Sequence, residues 1–214
     1  MSDFPIKDKP PFNVNVLERW LSEASKQTGV AAGRLRRWLG FMVVAAMLDK
    51  ARHAEDGGPL FLVKGGVAME LRVDSGARAT KDLDTAFRES VDAVAEHLDP
   101  VLRIGHGDFT ATRTEIEPVK DTGAVRFDIK LAYRGRPVVT VQMEVAAVEG
   151  GMGSEVDHVP AKSLAHVGLA GPDTVPCISV RWQSAQKLHA CTETLDDRDN
   201  DRFRDLLDLQ LLAG

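Results

Sequence analysis

Asp82 and Asp84 in "KDLDTAF" are two carboxylates one residue apart in a stretch that reads as a β-strand. Alternation along a strand puts both on one face and Leu83 on the other. Two unshielded carboxylates so placed repel each other, and a divalent cation relieves that repulsion. Oxygen-only donors suit Mg²⁺ or Mn²⁺. An exposed strand edge can carry the same pair with no ligand, so the pair gains meaning only from its neighbours. Sixteen residues before Asp82, "LVKGGVAM" sets Gly65 and Gly66 between an apolar run and a helical pattern. Glycine lets a ligand come close to the backbone, and the N–H groups that open the next helix can receive phosphate. A tight strand-to-helix turn would use the same glycines. Neither the phosphate-binding pattern G-x-x-x-x-G-K-S/T nor the dinucleotide pattern G-x-G-x-x-G occurs.

A third carboxylate would complete a two-metal site for phosphoryl or nucleotidyl transfer. Glu144 in "TVQMEVA" is the first candidate, on the polar face of a strand whose other face is Val141, Met143 and Val145. Asp128 in "RFDIKL", flanked on its face by Arg126 and Lys130, is the alternative.

The elements that must hold these residues follow from hydrophobic period. Val14 to Lys26 has helical spacing, and Ala32 to Ala54 places Leu35, Leu39, Met42, Val43, Ala46 and Met47 on one stripe of a long, half-buried helix. "EDGGP" ends it, "LFLVK" is a short buried strand, and "VAMELRV" is a helix of two turns. After "KDLDTAF" comes a helix over "VDAVAEHLDPVL". Three strands then follow as an antiparallel meander: "DFTATRTEIEPV", "AVRFDIKLAY" and "PVVTVQMEVAAV". Residues 150–176 are rich in Gly, Pro and Ser and read as a loop or link. Two helices close the chain, about Ser179 to Leu195 and about Asp201 to Leu212. In the first, Trp182, Ala185, Leu188 and Cys191 form the apolar stripe and leave Lys187 to one side, where its ammonium suits a phosphate clamp. Asp205 on the following antiparallel helix can reach the same mouth. His189 reads as a packed or rim residue, and the six histidines have no ligand spacing.

This order argues an α+β fold with a small mixed β-sheet flanked by helices. It divides as a core lobe over 1–150 and a linker with a helical C-terminal lobe over 151–214. The chain of 214 residues is 43% hydrophobic and 28% charged, ordinary for a globular protein, and no apolar run is long enough for a bilayer. "MSDFPIKDKPPFNV" has no secretory core, and Cys177 and Cys191 read as free thiols of a reducing cytoplasm. A net charge of −5 offers nucleic acid no global attraction, so an RNA partner would need a local patch. "GRLRRWLG", with Arg34, Arg36 and Arg37, is one, although a solvated helix face looks the same.

"KGGVAMELRV…ARATKDLDTAF" resembles the first motif of the AbiEii/AbiGii-type nucleotidyltransferase toxins, within the DNA polymerase beta-like nucleotidyltransferase superfamily. That motif is a Lys-Gly-Gly turn, an Arg, and a Ser/Thr-x-Asp-Leu-Asp strand. Here these are Lys64, Gly65 and Gly66, then Arg72 or Arg78, then Thr80 through Asp82 and Asp84. The tail, "WQSAQKLHACTET…RFRDLLDLQLL", is similar to the family's lysine-bearing helix and the acidic helix after it. On that pattern Lys187 is the phosphate-contacting lysine and Asp205, or failing it Asp208, the last acid. Gly66 stands where the wider superfamily has serine, and the third acid would be Glu where Asp is more usual.

The resemblance implies a minimal nucleotidyltransferase fold with a cleft before the C-terminal helices. It implies a toxin of a toxin–antitoxin or phage-defence system that moves NMP from an NTP to RNA, the tRNA 3′ end by expectation, and blocks translation. Asp82, Asp84 and Glu144 would hold two Mg²⁺ (or Mn²⁺), while Lys64, Gly65, Gly66, Thr80, Lys187 and Asp208 would hold the nucleotide. Arg34, Arg36, Arg37, Arg72 and Arg78 are the patch for RNA, and a cognate antitoxin is the protein partner. Transfer to a protein, such as the antitoxin, and a silent nucleotide-binding module are the alternatives.

Overall fold

The alternating strands and amphipathic helices assemble around one mixed sheet in the computed structural model, which describes residues 6–73, 79–193 and 202–213. Two helices, α1 (Val14–Thr28) and α2 (Ala32–Leu48), precede β1 (Phe61–Val63), α3 (Gly65–Arg72) and β2 (Asp82–Phe87). A 3-10 turn leads into α4 (Val94–Ile104), followed by β3 (Phe109–Arg113), β4 (Glu117–Pro118), β5 (Val125–Tyr133) and β6 (Arg136–Ala147). Next come β7 (Val156–Pro160), β8 (Thr174–Ile178), α5 (Val180–Thr192) and α6 (Phe203–Ala213). The strand order is β3-β5-β6-β2-β1-β8-β7, with β4 beside β5. The β2–β6 and β1–β8 pairs are parallel and the others antiparallel.

The apolar face of this sheet carries the main core. α2 crosses β6, and its last ten residues, Leu39 to Leu48, are all buried rather than striped. The helix also stops at Leu48, short of the expected Ala54. Gly40 allows the contact, since a Cβ there would lie 2.8 Å from Val141 Cγ2 and 3.1 Å from Val139 Cγ1. Each large apolar side chain buried in this layer contributes roughly 1.5–3 kcal/mol over its exposed state. A smaller cluster of Leu62, Ala86, Met152 and Ile178, flanked by Trp182, covers the other face of the central strands.

Residues 150–176 are not a link. They carry β7 and the start of β8, which extend the same sheet on its far side, so the sheet crosses the boundary expected at residue 150. Pro160 and Pro176 break up the apolar runs there, which is why two short strands read as loop. The strand expected over "DFTATRTEIEPV" is two, β3 and β4, both paired to β5. No helix of the described residues is long and apolar enough to cross a membrane.

β8 sits in the sheet interior, and Cys177 on it is 0% exposed, its thiol pushed up to about 12 by burial. A disulfide reagent should therefore titrate one thiol, Cys191, in the folded protein and two after unfolding. Two fast thiols without denaturant would contradict this placement of β8.

Candidate active site

The register of β2 and β6 settles which acids are neighbours. Asp84 lies opposite Glu144 and Asp82 opposite Gln142, in a parallel pair that keeps aligned side chains on one face. One strand further out, Arg126 stands opposite Glu144 and Asp128 opposite Gln142. Two rows thus cross the open face: Asp84–Glu144–Arg126 and Asp82–Gln142–Asp128. Glu144 is one strand from Asp84, about 4.8 Å in the hydrogen-bonding direction, while Asp128 is two strands from Asp82 with Gln142 between. Leu83, Met143 and Phe127 form the buried row behind them, all at 3% exposure or less.

Oε2 of Glu144 accepts a hydrogen bond from Nη2 of Arg126 at 2.7 Å. Glu144 holds the Arg126 guanidinium charged more firmly than usual, and Asp82 and Asp84 add to this. With Glu144 turned to Arg126, no three His, Cys, Asp or Glu side chains among the described residues converge closely enough to hold a metal. The donor chemistry still fits a hard divalent cation: two carboxylates share a face, and a third is in register on the next strand.

The glycine pair starts α3 itself rather than preceding it. Gly65 has φ +62°, and a Cβ on it would be 2.2 Å from Asp84 Oδ2. A Cβ on Gly66 would be 2.6 Å from Thr80 Cβ. The glycines are therefore required by the two β2-side residues pressed against them. Asp84 lies over the N-terminal turn of α3, where the aligned peptide dipoles favour an anion.

The other end of α3 is tied down twice. The buried Glu70 carboxylate accepts from Thr80 N at 2.7 Å, Trp38 Nε1 at 2.5 Å and Arg34 Nη2 at 3.1 Å. Arg72 donates to Gln183 Oε1, to Asp157 Oδ2 at 2.8 Å and to the Ile178 carbonyl at 2.7 Å. Gln183 in turn donates to the Gly65 carbonyl at 3.1 Å, which joins α5 to the glycine turn. Arg36 pairs with Glu18. Arg34, Arg36 and Arg72 are thus engaged with acids of the fold and do not form an open basic patch. Arg37 is half-buried, and Arg78 lies outside the described residues.

A cleft of about 570 Å³ opens between these rows and α5, lined among others by Lys64, Gly65, Asp84, Glu144, Glu149 and Trp182. Gln186 and His189 project into it from α5. Glu149, Trp182 and Gln186 had no motif to mark them; only the helical spacing 182, 186, 189 could have placed the last wall.

Lys187 faces away from this cleft. Its ammonium is buried between Asp205 Oδ1 at 2.9 Å and Asp208 Oδ2 at 2.5 Å, with side-chain exposures of 10%, 12% and 5%. The buried face of α5 is Gln183 and Lys187, and Leu188, expected on the apolar stripe, is 56% exposed. The stripe lost because Lys187 has two carboxylates to meet and a charge cannot be buried without them.

A family model described as nucleotidyl transferase AbiEii toxin, type IV TA system, matches residues 48–214. Among solved structures, the chain resembles MenT4, a nucleotidyltransferase toxin from Mycobacterium tuberculosis H37Rv. The match has a TM-score of 0.50 at 16% identity, over 85% of this chain and 65% of that one. It also resembles an antigenic nucleotidyltransferase-like protein from Paracoccidioides brasiliensis, with a TM-score of 0.49 at 18% identity, over 82% of this chain and 74% of that one. The chain thus spans less than two thirds of MenT4, and the likeness is one of fold: α+β, of the nucleotidyltransferase type. No curated protein matches it by sequence.

Two outcomes follow for stability. Gly65→Ala should cost about 2 kcal/mol or more, since it adds a clash to a positive φ; an unchanged urea midpoint would contradict the contact with Asp84. Lys187→Ala, by removing the cation that Asp205 and Asp208 share while Arg202 still reaches Asp205 at 3.7 Å, should loosen α6 by roughly 3 kcal/mol, read as faster proteolysis of the tail. Adding Asp205→Asn and Asp208→Asn should restore most of the loss, and no recovery would reject the ion-pair account.

Proposed function

The chain belongs to the AbiEii nucleotidyl transferase toxin family, and on that premise we propose that it transfers NMP from an NTP to the 3′-hydroxyl of an RNA, the tRNA 3′ end in particular, in the cytoplasm. The observation that supports this most is the row Asp84–Glu144 beside Asp82, packed against a glycine turn and facing α5 across a nucleotide-sized cleft. Asp82 and Asp84, with Glu144 on the next strand, hold the divalent cation, Mg²⁺ or Mn²⁺. When bound, it neutralises the charge that builds on the transferred phosphoryl group and on the leaving pyrophosphate.

The chain's own groups do the rest. The amides that open α3 at Gly65 and Gly66 and the Lys64 ammonium receive the β- and γ-phosphates. Thr80, fixed by Glu70, keeps β2 seated against the turn. Trp182 offers a flat face to the nucleoside from the α5 wall. Lys187, expected as a phosphate clamp, instead ties α6 to α5 through Asp205 and Asp208 on the side of α5 away from the cleft. The acceptor oxygen attacks the α-phosphorus in line, the bond to the β-bridging oxygen breaks, and pyrophosphate leaves. The hydroxyl proton passes through the Glu144 carboxylate to solvent. Blocking of the acceptor end would stop translation, and a cognate antitoxin would hold this activity in check.

The test is incubation with each α-labelled NTP, Mg²⁺ and total RNA. Label should enter RNA, and Asp82→Asn or Asp84→Asn should lower incorporation on the order of a thousandfold. Full incorporation by either variant would reject the site, and label in protein alone would reject the acceptor.

A further inference from the structure

Arg126 is the cation built into the acidic row, and its position has a consequence for metal binding. It stands opposite Glu144 on one side and Glu117 of β4 on the other. Its guanidinium bonds Glu144 at 2.7 Å while the two side chains remain 48% and 29% exposed. It lies on the side of Glu144 away from Lys64 and the glycine turn, and it does not line the cleft.

A carboxylate oxygen that accepts a bond from a guanidinium has a lone pair engaged and its charge partly offset, both of which a metal would use. A divalent cation needs the Glu144 oxygens free and turned along the row toward Asp84. The two demands are exclusive at Oε2. A half-exposed arginine–glutamate pair is a weak interaction, screened by solvent. A hard dication meeting three carboxylates gains more, so the exchange runs toward the metal.

We infer that Arg126 holds the place of a cation on Glu144 and that divalent metal binding displaces it. Arg126 is then a positioning residue: it keeps the carboxylates of β2 and β6 balanced until metal arrives, and it sets the metal concentration at which Glu144 is recruited. This rests on the reading that Asp82, Asp84 and Glu144 bind the metal.

Mn²⁺ binding to the full chain, measured by the electron paramagnetic resonance of free Mn²⁺ at neutral pH and fixed salt, separates the two. Arg126→Ala should bind Mn²⁺ about three- to tenfold more tightly than the unaltered protein, and Glu144→Gln several-fold more weakly. In the Glu144→Gln background, removing Arg126 should bring no further gain, because its effect passes through that carboxylate. An Arg126→Ala affinity equal to or weaker than the starting one overturns the inference, as does a gain that persists without Glu144. If Asp84→Asn binds Mn²⁺ as well as the unaltered protein, the metal reading itself fails. Both residues of the pair lie on the exposed sheet face, and far-ultraviolet circular dichroism of each variant verifies its fold.

Discussion

The contact of Asp84 with Gly65 is the constraint around which this molecule is arranged. An acid pressed to within 2.2 Å of where a Cβ would stand admits only glycine. It also fixes where α3 begins, because the backbone there takes φ +62°. The Lys64 amide donates to the Asp84 carbonyl at 2.9 Å, so strand and helix are joined at that point by main chain as well. Glu70 and Arg72 then hold the far end of a helix of only eight residues. A short helix is marginal by itself. Here its ends are tied to α2, β7, β8 and α5, and the opening turn is kept still beneath the carboxylates.

Much of this frame was legible in the sequence. Asp82 and Asp84 flank a buried Leu83 as strand alternation requires, and Glu144 alternates with Met143 and Val145 in the same way. What sequence could not supply was register. Only the pairing of β2 with β6 decides that Glu144, rather than Asp128, is the neighbour of Asp84. The polar network under the site was also hidden. Glu70 sits in an apolar helix and finds Arg34 and Trp38 more than thirty residues earlier, with no local pattern to connect them.

Charge was the least readable property. Arg34, Arg36 and Arg72 look like a basic surface when counted along the chain, yet each is paired with an acid of the fold. Arg72 spends its donors on a side-chain amide, a carboxylate and a carbonyl, a use to which the planar guanidinium is suited and an ammonium is not. The same three-dimensional pairing turns α5 so that Leu188 points outward while its lysine points in.

That inversion gives the tail a thermodynamic character of its own. Where α5 meets α6, a lysine lies between two aspartates, while Leu188, Leu206 and Leu207 are more than half exposed. The large heat capacity of unfolding comes from apolar surface newly wetted. A seam closed by charges wets little such surface when it opens. Detaching α6 alone would therefore carry an enthalpy that hardly changes with temperature, whereas the packing of α2 on the sheet weakens on cooling. The tail and the body of this chain respond to temperature by different laws.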